Sequence, residues 1–154
     1  MDPQSAITFK NRGRVQFYRG QFELAASDLD KAQQLEPDLY TAIALYLARA
    51  RGGLKDAALK LAADATKVKV EAWPAPVLAL FEGEINPETL PEKAATPDSR
   101  AQQQRMCEAN FYLGEWHLLR QERAEARILL GKAVAECPRD LFEYEGAVAE
   151  LKRM

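Results

Sequence analysis

The chain has 154 residues, 47% of them apolar and 29% charged, with a formal net charge of −2 at pH 7. That is an ordinary globular balance, and a chain this long buries about 68–70% of its unfolded surface, so it needs no metal or disulfide staple. The charge excludes a global attraction to nucleic acid or an anionic bilayer, and charges break the apolar stretches well short of the ~18 residues a membrane span requires.

At the start, Asp2, Pro3 and Gln4 stand where a signal peptide would have a basic start and an apolar core. Ala6 to about Arg19 reads as a helix, Gly20 punctuates a turn, and Phe22 to about Leu35 reads as a second helix. Lys10, Arg12, Arg14 and Arg19 make the first helix locally basic, which usually marks a solvated face and alternatively a partner-binding one. Pro37 closes the second helix, because proline cannot continue it and biases its predecessor away from helix. Asp38 to about Arg51, a break at Gly52-Gly53, and Leu54 to about Lys67 form another hairpin of the same length. Trp73 to Phe81 is a third apolar helical segment, entered through Pro74 and Pro76 and closed near Gly83. Asn86-Pro87 reads as an N-cap and first-turn proline opening a short helix that cannot pass Ala95. Thr96-Pro97 repeats that signal for a long helix through Leu119, with Glu122 to Glu136 as its partner. Asp140 with Glu143 resembles a capping box and opens a last helix to Lys152. Leu141, Tyr144, Val148 and Leu151 form one stripe of that helix, with Glu143, Glu150 and Lys152 elsewhere, a pattern suited to capping a stack.

Two of these hairpins share one pattern. Gly13, Ala25, Leu29, Ala32 and Pro37 recur as Gly114, Ala126, Leu130, Ala133 and Pro138, each 101 residues on. The order and spacing match the tetratricopeptide repeat (TPR), a helical hairpin of about 34 residues, and Pro3 to Pro37 spans 34 residues by itself. Glycine and alanine are expected where the two helices approach most closely, with leucine filling the space between them. The hairpin from Asp38 holds Leu47 and Leu59 in the Gly and Ala slots and is a degenerate repeat. The expected fold is all-α, a TPR right-handed helical-hairpin solenoid with a C-terminal capping helix. It is read as a single TPR-type domain over 1–154, with a repeat over 6–39, a degenerate repeat over 40–69, an irregular helical pair over 70–96, a repeat over 97–139 and the capping helix over 140–154. Asp2-Pro3 occupies the closing position of an absent repeat, so upstream repeats are expected, leaving an apolar edge exposed around Ile7, Val15 and Phe22.

From about Ala42 to Leu151 the chain also resembles the bacterial TPR lipoproteins of the new-lipoprotein-I (NlpI) type. The resemblance rests on Phe81-Glu82-Gly83-Glu84-Ile85, Thr89-Leu90 and Asn110-Phe111-Tyr112-Leu113-Gly114. It continues through Ala126, Leu130, Lys132-Ala133-Val134-Ala135, Glu143-Tyr144 and Glu150-Leu151. It implies an all-helical, often dimeric scaffold in the bacterial envelope that brings a protease to peptidoglycan hydrolases. The chain departs from that family at its front, which has no leader and no lipidated cysteine. An envelope location follows from the resemblance together with N-terminal truncation; otherwise the expectation is cytoplasmic.

In a TPR the concave groove is lined mainly by the first helix of each hairpin. The partner-binding positions are therefore Lys10, Arg14, Phe17 and Tyr18 in the first repeat, with Glu108, Phe111 and Glu115 in the last. Lys10 and Arg14 share a helical face and suit a carboxylate or acidic side chains. A full carboxylate clamp is not expected, because Arg14 replaces an asparagine and the middle hairpin offers Ala44 and Leu45. Tyr18 and Phe111 read equally well as packing residues. Trp73 and Trp116 are expected to pack between helices, and His117, the single histidine, has no partners for a zinc site. Cys107 and Cys137 are expected as two buried free thiols, with a disulfide as the alternative. A Cys107–His117 pair fails on geometry, since ten residues of helix separate them by about 15 Å. The reading is a non-enzymatic interaction scaffold or adaptor, binding a peptide or partner protein in its groove, with no catalytic residue, cofactor, metal, nucleic acid or direct membrane span. The alternative is a self-association module that dimerises. An enzyme would require carboxylates such as Glu108 and Glu115 to converge with raised pKa values.

Overall fold

A computed structural model describes residues 4–154, so the Asp2-Pro3 and Pro3–Pro37 readings lie outside the described residues. Among the described residues the protein is all-helical, with nine helices and no strand. The described residues form two compact units that divide between Ala75 and Pro76. No helix among the described residues is long and apolar enough to cross a membrane.

The first unit holds α1 (Ala6–Tyr18), α2 (Phe22–Leu35), α3 (Leu39–Arg51) and α4 (Ala57–Ala65), each packed on the next. Ser5 caps α1, its Oγ accepting from the Thr8 N–H at 3.2 Å. Asp38 caps α3, accepting from both the N–H and the hydroxyl of Thr41 at 3.1 and 3.0 Å. The fourth helix is shorter than the expected span from Leu54 to Lys67. Leu54, Lys55 and Asp56 are used up in the turn after Gly53, whose φ is +86°. At the far end the N–H groups of Thr66 and Lys67 fall back on carbonyls three residues earlier, tightening the last turn. Arg49 ties three helices together, its guanidinium lying 3.1 Å from both Asp30 of α2 and Asp64 of α4.

The second unit is formed by α5 (Ala75–Phe81), α6 (Thr89–Lys93), α7 (Ser99–Leu119), α8 (Arg123–Glu136) and α9 (Phe142–Arg153). Two predicted starts move. Asn86 and Pro87 form a turn accepting from Thr89 and Leu90, and α6 begins only at Thr89. The cap of α7 is Asp98 rather than Thr96, its carboxylate accepting from the Arg100 N–H at 3.1 Å.

The seams of the two repeated hairpins are alike. A Cβ built on Gly13 would lie 2.8 Å from Leu29 Cγ, and one on Gly114 would lie 2.7 Å from Leu130 Cδ2. Ala25, Leu29 and Ala32, and likewise Ala126, Leu130 and Ala133, are buried beside them. The small residues set the approach of the helices and the leucine fills what remains. Both turns also need a left-handed residue at the same register, Gly20 at φ 73° and Gln121 at φ 63°.

The last helix sits on both α7 and α8, and its packed face differs from the expected stripe. Phe142, Glu143, Gly146, Ala147 and Glu150 are buried, whereas Leu141, Tyr144, Val148 and Leu151 are half-buried. Gly146 decides this. A Cβ there would stand 2.7 Å from Phe111 Cε1, so the glycine face alone can approach the aromatic cluster of Phe111, Tyr112 and Phe142. Asp140 and Glu143 form no capping box, since the N-cap is Leu141 with no side-chain bond. Glu143 instead accepts from the Tyr112 hydroxyl at 2.8 Å, which offsets the cost of burying its carboxylate.

Candidate functional site

In the first unit, the N-terminal end of α3 projects Pro37 and Asp38 between two clefts. On one side Ala6, Ile7 and Lys10 of α1 face Glu36, Asp38 and Thr41 across about 260 Å³. On the other, Leu39 and Tyr40 face Lys67, Val68, Lys69, Glu71 and Trp73 across about 540 Å³. Pro37 and Asp38 line both. Asp38 accepts from the Thr41 N–H in its cap and lies 3.6 Å from Lys10 Nζ. The ridge is thus a carboxylate with a lysine beside it, walled by Ile7 on one side and by Tyr40 and Trp73 on the other. Such a surface offers apolar anchorage together with a few oriented polar groups.

The predicted groove residues divide. Lys10 lines the smaller cleft, and Arg14 and Tyr18 are half-buried on α1. Phe17 is fully buried, edge-on to Phe22 at 5.2 Å. Phe111 and Glu115 are also fully buried, and Glu108 is 1% exposed, donated to by Gln104 at 3.1 Å. Phe17, Phe111, Glu108 and Glu115 are therefore interior residues of their units, because the helix face that carries them is covered. Ala44 and Leu45 are buried too. Trp73 is half-buried and lines the larger cleft, while Trp116 is half-buried with the Arg120 guanidinium 3.5 Å from its ring centroid. His117 lies against Glu122. Among the described residues, no three His, Cys, Asp or Glu side chains are grouped so as to hold a metal ion.

Cys107 and Cys137 form a disulfide in place of the free thiols expected, with Cα atoms 5.0 Å apart across 30 residues. The antiparallel arrangement of α7 and α8 brings the C-cap of α8 beside the third turn of α7, within the range a disulfide spans.

One ion pair joins the two helices of the first hairpin. Arg12 grips the buried Asp28 with two bonds, Nε to Oδ2 at 2.6 Å and Nη2 to Oδ1 at 2.8 Å. That hydrogen bonding, followed by the carboxylate charge, raises the Arg12 pKa. In the second unit, burial lowers that of Arg153, against the opposing charge of Glu115. Burial also pushes the Glu82 carboxyl above its ordinary value, and Glu84 adds to the effect. Of the basic run, Lys10 faces Asp38 and Arg12 grips Asp28, and Arg19, the C-cap of α1, is exposed.

The expected apolar edge is present at Ile7, 58% exposed, and Val15, 43% exposed. Phe22 is half-buried, with the Arg51 guanidinium 4.8 Å from its ring centroid. Sequence reasoning did not find the paired clefts, because their walls come from segments 30 residues apart. The one local signal was Asp38 itself, an N-cap directly after a proline. No family model matches the chain.

Proposed function

We propose that this chain is a TPR-type interaction scaffold, a helical-hairpin solenoid rather than an enzyme, that holds a peptide or a segment of a partner protein. The observation that carries the reading is the seam made twice, with Gly13 against Leu29 and Gly114 against Leu130 at the spacing of the repeat. Repeats of this kind create extended binding surfaces. The clefts flanking Pro37 and Asp38 are the part of that surface best shaped for an extended segment, with Lys10 and Asp38 orienting it and Tyr40 and Trp73 anchoring it. The resemblance to the new-lipoprotein-I type extends the reading to an adaptor that links a protease to envelope enzymes.

A peptide-display selection against the full chain tests this, followed by calorimetry on the selected peptides. Saturable binding is expected, weakened about tenfold or more by Trp73→Ala and Lys10→Glu, the scale of a central interface residue. A selection that yields no saturable binder would remove the scaffold reading. Binders indifferent to both substitutions would move the site elsewhere.

A further inference from the structure

The larger cleft, beside Tyr40 and Trp73, is lined by four charged residues, Asp38, Lys67, Lys69 and Glu71. Its two acids are not equivalent. Asp38 is already answered, accepting from the Thr41 N–H and hydroxyl at 3.1 and 3.0 Å with Lys10 Nζ at 3.6 Å. Glu71 is exposed. Lys67 and Lys69 are exposed as well, and among the described residues neither ammonium group has an ion pair or hydrogen bond within the chain.

Local chain geometry brings both lysines to the cleft. After α4 ends at Ala65, the N–H groups of Thr66, Lys67 and Val68 bond to carbonyls three residues back, at 3.3, 3.1 and 3.4 Å. The chain leaves that tight turn and returns along the cleft to Trp73, so Lys67 and Lys69 both line it. Facing them is the first turn of α3, at Leu39 and Tyr40, the positive end of that helix dipole. The smaller cleft across the ridge differs. Lys10 is the one cation lining it, set against Glu36 and Asp38. An anionic group is therefore drawn to the larger cleft and not to its neighbour.

Resting on the reading that these clefts hold a segment of a partner protein, we propose that the larger one selects an extended acidic segment. An apolar or proline side chain sits against Tyr40 and Trp73, and a neighbouring Asp or Glu lies beside Lys67 and Lys69. The rings supply contact area, and the volume of about 540 Å³ is that of an ordinary ligand site. The lysines supply selectivity and speed the encounter, as complementary charge does at interfaces. A peptide fits better than a nucleic acid, because the cleft offers two lysines instead of a basic track and the whole chain carries −2.

The test uses the full chain and labelled peptide libraries sharing randomised apolar positions, flanked by glutamate, glutamine or lysine and read by fluorescence anisotropy. Saturable binding is expected in the order glutamate, glutamine, lysine, with about tenfold between the ends and weaker binding as salt rises. Lys67→Glu with Lys69→Glu should reverse that order, whereas Lys60→Glu, exposed on α4 outside the cleft, should leave it unchanged. Both cleft lysines are exposed, so the double variant should keep the parent's circular dichroism and melting. If it does not, Lys67→Gln with Lys69→Gln should bring the glutamate and glutamine peptides to equal affinity. Glutamine peptides that bind the parent as tightly as glutamate ones overturn the acidic preference and leave the scaffold reading standing. So does an order that survives the loss of both lysines. Failure of every library to saturate overturns both readings. A single-stranded oligonucleotide that displaces the glutamate peptides, and binds more weakly after Lys67→Glu, also overturns the proposal, since the occupant would then be a nucleic acid.

Discussion

The α1–α2 and α7–α8 hairpins are two solutions to one packing problem. Both place a glycine under a leucine and both turn on a left-handed residue. They differ in what holds the rest of the pair. In the first, Arg12 and Asp28 form a two-bond ion pair; in the second, the equivalent positions are Leu113 and Leu129. The second adds a covalent tie, Cys107–Cys137, where the first has Ala6 and Glu36. The invariant part is steric, because a close approach admits few residue types. The variable part is energetic, and apolar contact, charge pairing or a disulfide can each supply it.

The steric part should be the least forgiving. Gly114→Leu must displace Leu130 or part the helices, and should cost about 3 kcal/mol or more in denaturant unfolding, the upper range for overpacking. Gly131→Ala, in the same hairpin with nothing within 4 Å of its added Cβ, should instead stabilise by up to about 1 kcal/mol. Equal melting for the two variants would show that the seam is not a seam.

Next in size is the disulfide. Replacing both cysteines with serine should cost about 3–4 kcal/mol at 25 °C on the loop-entropy account. Hydrogen exchange should then rise in α7 and α8 and stay unchanged in α1 and α2. Equal loss of protection in both hairpins would contradict the division of labour drawn above.

The ion pair can be converted directly. Arg12→Leu alone leaves Asp28 buried without its partner and should destabilise, whereas Arg12→Leu with Asp28→Leu recreates the second hairpin's solution and should recover most of that loss. A double variant as unstable as the single would mean that the two hairpins are not interchangeable here.

Smaller again is the turn. Gln121→Gly relieves a left-handed glutamine and should raise stability by about 1 kcal/mol, and Gly20→Gln should lower it by about as much. A calorimetric scan showing no change in either direction would show that the two turns tolerate any residue.

The smallest effect belongs to Glu82. Its carboxyl holds a proton to higher pH in the folded chain than in the unfolded one. Stability is therefore gained as pH falls through the window above the ordinary value of 4.5 and lost as pH rises through it. Glu82→Gln should flatten that slope by a few tenths of a kcal/mol, as expected of a largely solvated group. An unchanged pH profile in the variant would assign the slope to another carboxylate.

Much of the helical layout could be read from residue order. The limits of α2 at Phe22 and Leu35 follow from Gly20 and Pro37, and the seam glycines from their spacing to leucine. Lys10 lies on a regular helical face and lines the smaller cleft. Phe17, Phe111, Glu108 and Glu115 share such faces but are buried, which spacing along one helix does not reveal. The same limit applied to α9, where periodicity chose Leu141, Tyr144, Val148 and Leu151, while the contact between Gly146 and Phe111 chose the opposite side.

Local sequence determined the helices, their punctuation and the tight approach within each repeated pair, because caps, prolines and missing side chains act over a few residues. Tertiary structure decided which faces are covered, that two cysteines bond, that Arg49 bridges Asp30 and Asp64, and that a carboxylate ridge stands between two clefts. Those outcomes depend on groups 15 to 30 residues apart meeting in space, and no period along a single helix encodes such a meeting.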